Sequence, residues 1–398
     1  MAMQISRRAQ AIEPFYVMEV AKAAADMARS LQGSAKPMVF LNIGEPDFTA
    51  PPAVQAAAQE AIAQGRSQYT PATGLPQLRE RISQWYSQRF GLAIAPERIV
   101  VTAGASAGLQ LACLALLNAG DEVLMPDPSY PCNRHFVSAA DAKAVLLPTT
   151  AAQRFQLSAA QVEAAWGPKT RGVLLASPSN PTGSSIDPAE MARIAQAVQA
   201  RGGVTLVDEI YLPLSYDAHF GQSALALDES IISINSFSKY FNMTGWRLGW
   251  LVVPDALVPV IERLAQNLFI CANSVAQYAA LACFEPESLA IYEERRAAFK
   301  QRRDHFIPQL KAMGLPVPVM PDGAFYAWAD CRSACAKLGL VDSWAFAEHV
   351  MQHAHVALTP GRDFGEHSPG DFVRLSTASS LSDLDTAAVR LRQLLEAA

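Results

Sequence analysis

Short, almost unbroken apolar runs punctuate the middle of the chain: Arg98–Val101, Glu122–Met125, Gly172–Ala176, Val204–Val207, Ile231–Ile234 and Leu248–Val253. Lacking alternation and rich in β-branched residues, they predict strands buried on both faces. Between them the period becomes helical, as at Ser106–Leu117 and Pro188–Ala200. The second helix has Asp187 as N-cap, Pro188 at its first position and Gly202 beyond its end, the expected punctuation for both termini. Strands alternating with helices predict an α/β fold whose large domain is a mainly parallel, helix-wrapped sheet.

After about residue 285 the pattern changes. A long charged helical stretch, Glu287–Met313, precedes strands near Ala324–Ala329, His355–Leu358 and Phe372–Ser376, with helices at Ser343–His353 and Leu381–Ala397. This predicts a smaller α+β domain. The expected division is a large domain at 47–285 and a small one made of 1–46 and 286–398. A chain of 398 residues is longer than single cores usually grow, which agrees with two domains.

Composition changes this picture little. With 51% hydrophobic and 17% charged residues the balance is globular, and a net charge of -5 without a basic run predicts no nucleic-acid partner. The N-terminal MAMQISRRAQAIEPF has no apolar core behind its arginines, and no stretch approaches the roughly 18 apolar residues of a membrane span. A soluble cytoplasmic protein is expected. The cysteines Cys113, Cys132, Cys271, Cys283, Cys331 and Cys335 form no C-x-x-C pair, as suits free thiols of a reducing compartment. Cys331 and Cys335 could share a helix face but lack further ligands, so no metal site is expected.

Chemistry gathers at the strand ends, where ligands collect in sheets of this kind. Val100–Ser106 runs from a strand through the small residues Gly104, Ala105 and Ser106 into a helix, a turn able to bring backbone N–H groups to an anion; an ordinary turn capped by Ser106 is the other reading. It is not G-x-G-x-x-G, which argues against a nicotinamide-dependent dehydrogenase. Tyr130 lies between Ser129 and Pro131 and could either stack on a flat ring or simply pack. Asn180 precedes Pro181 and is therefore held in an extended turn. Asp208 ends a buried strand, where a carboxylate is costly without a cation. It is either an ion-pair partner or a ligand to a protonated heterocycle, with Tyr211 close behind it. Ser236-Phe-Ser238-Lys239 places a lysine among hydroxyls at another strand end, followed by Gly245, Arg247 and Gly249. Lysine forms Schiff bases with carbonyls, and arginine suits phosphate. His135, His219, Met243 and Trp246 are expected to pack rather than react.

These residues resemble the class I/II aminotransferases, fold type I pyridoxal-phosphate enzymes of the aspartate aminotransferase type. The pattern S-x-S-K-x-x-x-x-x-G-x-R-x-G is present in full. Asn180-Pro-Thr-Gly183, Asp208-Glu-x-Tyr211, Arg374-Leu-Ser376, Asn42-Ile-Gly44 and Tyr69-Thr-x-x-x-Gly74 stand in family order. The matches run from about residue 13 to 376.

The resemblance implies that Lys239 carries pyridoxal 5′-phosphate as a Schiff base and moves the proton of the reaction. It implies that Asp208 pairs with the ring nitrogen, and that Asn180 and Tyr211 bond the ring's phenolic oxygen. Tyr130 would stack on the ring. Arg247, Ser236, Ser238 and the Gly104–Ala105–Ser106 turn would hold the phosphate. Tyr69 would reach the phosphate of a second subunit, which implies a homodimer with shared sites. Arg374 would grip the substrate carboxylate in a bidentate pair, assisted by Gly44 and Asn180, with the segment around Phe15 folding over the site. The implied reaction moves an amino group from an L-amino acid to a 2-oxo acid in ping-pong fashion.

Aspartate-preferring members of the subgroup often carry a lysine in the phosphate turn. Ser106 stands there, which leaves a side-chain carboxylate preference open. A carbon–sulfur β-lyase or other elimination enzyme would share the same residues around the cofactor. A non-catalytic regulator with an aminotransferase-like domain would carry an extra DNA-binding domain, and with only a dozen or so residues ahead of the motifs this reading is not the expected one.

Overall fold

In the computed structural model, which describes residues 3–397, the interior apolar runs line up as one seven-stranded sheet. In chain order the strands are β1 (Val39–Phe40), β2 (Ile99–Thr102), β3 (Glu122–Asp127), β4 (Lys143–Pro148), β5 (Thr170–Ala176), β6 (Val204–Asp208), β7 (Ile232–Ser236), β8 (Gly249–Val252), β9 (Tyr326–Asp330), β10 (Val356–Ala357), β11 (Thr359–Pro360) and β12 (Phe372–Ser376). The large sheet has the order β2-β8-β7-β6-β5-β3-β4. It is parallel except for β8, which runs against both β2 and β7.

The unbroken apolar runs arise because both faces are covered. Val173 and Leu175 enter one core and Leu174 the other; Val207 and Leu206 divide likewise, as do Trp250 and Leu251. Successive side chains of a strand point to opposite faces, so a strand between two cores must be apolar throughout. Asp187 caps the helix Pro188–Gln199 by accepting from Ala189 N and Glu190 N, and Gly202 beyond it takes a left-handed φ of 66°.

β4 was not expected from the sequence. It pairs only with β3 at the sheet margin and is only half-buried. Lys143 and Pro148 bracket its four apolar residues, and an edge strand need not be apolar on both faces.

A second core surrounds the three-stranded antiparallel sheet β11-β12-β9 and the pair β1-β10. The helix Pro286–Ala312 serves both cores: Tyr292 and Phe299 lie in the first, Phe306 and Leu310 in the second. Cys331 and Cys335 are buried in the second core, and all six cysteines are free thiols. Among the described residues no helix is long and apolar enough to cross a membrane.

The sheet's polarity creates a shared edge. Parallel strands β2, β3, β5, β6 and β7 end there, and the reversed strand β8 begins there. Thr102, Ser236 and Gly249 are register partners, as are Ala176 and Asp208. Beneath the loop after β7 lies an aromatic cluster in which Phe241 contacts Trp85, Phe237, Tyr240, Trp250, Phe284 and Tyr292.

Phe241 is fully buried. Phe241→Ala is expected to destabilise the protein by about 3–5 kcal/mol, read as a lower urea midpoint.

Candidate active site

Each strand end of the shared edge delivers a side chain to one cavity of about 460 Å³. β2 leads to Ala105 and Ser106, β3 to Tyr130, β5 to Asn180, β6 to Asp208 and Tyr211, and β7 to Ser236, Ser238 and Lys239. Arg247 enters just ahead of β8 and Arg374 from β12, while Phe15 and Gly44 approach from the N-terminal segment. Gly104 adjoins this wall. Tyr69 does not line it and is 80% exposed. Neither His135 nor His219 lines the cavity; His219 sits 2.9 Å from Asp187 on the surface. Met243 is core and Trp246 packs against it.

The lysine loop is tied down by its own hydroxyls and amide. Ser238 N donates to Ser236 Oγ at 2.9 Å, Thr244 Oγ1 to Ser238 O at 3.0 Å and Asn242 Nδ2 to Lys239 O at 3.0 Å. Arg295 Nη1 donates to Asn242 Oδ1 at 2.7 Å and so anchors the loop to the long helix. Lys239 Nζ donates to Gly44 O at 2.7 Å. Burial pulls the lysine down to about 8, opposed by Glu45 and assisted by Arg374 and Arg247. The amine is thus brought close to neutrality in its proton affinity.

Asp208 meets no ion-pair partner among the described residues. Its one side-chain hydrogen bond comes from Ile210 N at 3.2 Å. Burial pushes the carboxyl up to about 7, with the Ile210 amide opposing. Tyr211 and Tyr326 share a hydrogen bond of 2.6 Å between their hydroxyls. Burial and the neighbouring phenol push Tyr211 well above its ordinary value, so it stays protonated and can donate. Tyr326 fits only because Gly44 has no side chain: a Cβ there would collide with the Tyr326 hydroxyl.

Gly104 takes φ 85° and precedes the helix Ala105–Leu116, whose N-cap it is. A Cβ at Gly104 would fall 2.6 Å from Arg247 Nη2. Ser106 lies inside the helix and does not cap it, so the turn presents backbone N–H groups beside an arginine. Arg374 is 2% exposed. Its Nη1 donates to Asn180 Oδ1 at 2.9 Å and its Nη2 to Asn42 O at 2.6 Å, while Nε has no partner. Its guanidinium lies over the rings of Tyr326 (4.7 Å) and Phe364 (5.0 Å).

This donor set fits pyridoxal phosphate. An isolated buried carboxylate suits a protonated ring nitrogen, a lysine of lowered proton affinity suits an aldehyde, and Arg247 with a helix N-terminus suits a phosphate. Sequence reasoning missed Tyr326, and also the cavity residues Glu45, Thr244, Val17, Met18 and Ala21. Tyr326 was hidden as one apolar-looking position in a buried strand.

The class these features define is that of the pyridoxal-phosphate enzymes acting on amino acids, and the comparisons with known proteins narrow it. The family model for aminotransferase class I and II matches residues 36–391. A valine–pyruvate aminotransferase of Mycobacterium tuberculosis is 38% identical, covering 96% of each chain. The crystal structure of an aminotransferase from the same organism superposes with a TM-score of 0.94 at 37% identity, covering all of both chains. An aspartate aminotransferase from Thermus thermophilus with maleate gives 0.91 at 31% identity, covering 99% of this chain and 100% of that one. The chain belongs to the class I and II aminotransferases and is a pyridoxal-phosphate-dependent transaminase. The elimination alternative is not favoured.

The raised pKa of Asp208 carries a stability consequence. Its folded value, about 7, exceeds the unfolded 3.8, so the native state binds more protons between these limits and its stability falls as pH rises through them. Asp208→Asn removes that penalty. In cofactor-free protein the variant is expected to melt higher than wild type at pH 8, with a smaller difference at pH 5. Differential scanning calorimetry at both pH values checks this.

Proposed function

We propose that this transaminase prefers L-amino acids with uncharged, largely apolar side chains. The carrying observation is that Arg374 and Arg247 are the cations of the cavity besides Lys239. Arg247 stands at the phosphate turn and Arg374 beside Asn180. On the side of the N-terminal segment the wall is apolar, with Phe15, Val17, Met18, Ala21 and Ile43, and Pro178 adds to it. A distal carboxylate would find no partner there and would meet Glu45, at a desolvation cost. A homologue named for valine and pyruvate supports the reading.

Pyridoxal phosphate supplies the electron-accepting ring through which the amino group is exchanged. Lys239 would hold the cofactor through Nζ, and its free amine would move the proton at the substrate α-carbon. Its lowered proton affinity keeps that amine available near neutral pH. Asp208 holds the proton on the ring nitrogen. Tyr211 donates to the phenolic oxygen together with Asn180, whose Oδ1 is committed to Arg374, leaving Nδ2 as donor. Tyr130 covers the ring face. Arg247, Ser236, Ser238 and the Gly104–Ala105–Ser106 turn bind the phosphate. Arg374 takes the substrate carboxylate, with Gly44 close by, and Phe15 excludes water.

On this reading residues 47–285 bind the cofactor, and 1–46 with 286–398 carry Arg374 and the cover over the site. We further infer a homodimer in which the exposed Tyr69 reaches the second subunit's cofactor phosphate. An open groove of about 600 Å³ lined by Phe48, Ile62, Trp246 and Val275 adjoins Arg247 and supports this.

Single-turnover spectra against an amino-acid panel test the preference. L-Valine and L-leucine are expected to discharge the aldehyde-form absorbance at least about tenfold faster per unit concentration than L-aspartate, equivalent to about 1.4 kcal/mol; a faster L-aspartate would overturn it. Lys239→Ala is expected to lose turnover and, after borohydride reduction, the cofactor-labelled peptide. Arg374→Ala should lower kcat/KM for amino acids on the order of 10²–10³-fold, with amines little affected.

A further inference from the structure

The helix Tyr16–Ser30, which carries Val17, Met18 and Ala21 into the cavity wall, is capped from a distant part of the chain. Its N-cap residue is Phe15, which has no side-chain acceptor to offer. The first turn of a helix leaves N–H groups without intrahelical partners. Here one carboxylate serves two of them. Tyr16 N donates to Asp363 Oδ1 at 3.1 Å and Val17 N to Asp363 Oδ2 at 2.5 Å.

Asp363 belongs to the turn Gly361–Asp363 that follows β11, and it is 1% exposed. A buried carboxylate at a helix N-terminus is matched by both the amides and the helix dipole. The same turn steadies what precedes the helix: Arg134 Nη1 donates to Asp363 O at 3.3 Å and Nη2 to Glu13 Oε2 at 3.5 Å. Beside it, the Tyr16 ring stands edge-on to Trp344 at 5.9 Å and beneath Arg362 at 4.6 Å. Asp363 itself does not line the cavity.

We propose that Asp363 is a positioning residue for substrate selection, fixing the start of the Tyr16–Ser30 helix and hence the distance at which Val17, Met18 and Ala21 meet the substrate side chain. The inference rests on the reading that this side chain is apolar and lies against that helix. It assigns selectivity to a residue that touches neither substrate nor cofactor. With the carboxylate gone, a buried amide and a half-buried one lose their acceptor and the helix start is released.

The test compares wild-type holoenzyme with Asp363→Ala and Asp363→Asn. For Asp363→Ala, KM for L-leucine is expected to rise about tenfold, while kcat and the visible spectrum of the cofactor change by less than about twofold. The preference for L-leucine over L-alanine should shrink in parallel. Asp363→Asn, of the same shape with one acceptor oxygen, should fall between and keeps the test readable should the alanine variant not fold. Hydrogen exchange should quicken in Tyr16–Ser30 and not in the strands of the large sheet. Unchanged selectivity, unchanged exchange, or an equal loss of kcat for every amino acid with loss of cofactor absorbance would each overturn the proposal. Should the wild type show no preference for apolar side chains, the substrate reading fails by itself, and the exchange measurement still decides whether Asp363 fixes the helix.

Discussion

A guanidinium taken out of water must be surrounded by acceptors, and Arg374 draws them from segments far apart in the chain. Asn180 comes from the turn after β5, the Asn42 carbonyl from the N-terminal segment, and Thr359, 3.4 Å away, from β11. The guanidinium also lies over the rings of Tyr326 and Phe364. These partners cannot be met unless the large sheet, the small sheet and the segment ahead of the first core all arrive together. The unpartnered Nε keeps part of the fork unsatisfied. The same constraint that assembles the cavity therefore leaves one guanidinium donor inside it without an acceptor.

Desolvation acts oppositely on a lysine and a carboxylate that line the same cavity. It lowers Lys239 to about 8 and raises Asp208 to about 7, so both resist the charge they would carry in water. Such groups weaken a fold, and they persist where chemistry requires them. Glu209, next in sequence to Asp208, shows the contrast. Burial raises it too, yet it receives Ser223 Oγ at 2.9 Å, Ala224 N at 2.7 Å and Ser233 Oγ at 2.5 Å. One carboxylate is satisfied by the protein and the other is not.

Much of this was legible in the chain because the strongest signals coincide. Strands between two cores must be apolar on both faces, so their ends stand out, and polar residues at those ends line one cavity. Asp208, Lys239 and Arg247 could be picked out for that reason, whereas Arg374, in the middle of β12, was marked only by the family resemblance. Edge strand β4 escaped because pairing on one side relaxes the demand for burial. Tyr326 escaped because its hydroxyl has meaning only beside Tyr211, far away in sequence. Asp363 was equally silent: a carboxylate that caps a helix from across the molecule leaves no local pattern at either end.

The helix Pro286–Ala312 has a mechanical meaning as well. Its backbone hydrogen bonds run without a break between side chains fixed in one core and side chains fixed in the other, apart from the amide that Pro308 lacks. Melting the smaller core would fray its last turns and loosen the register of Phe299 beneath Phe325. One continuous helix thus couples the two cores mechanically, although each has its own sheet.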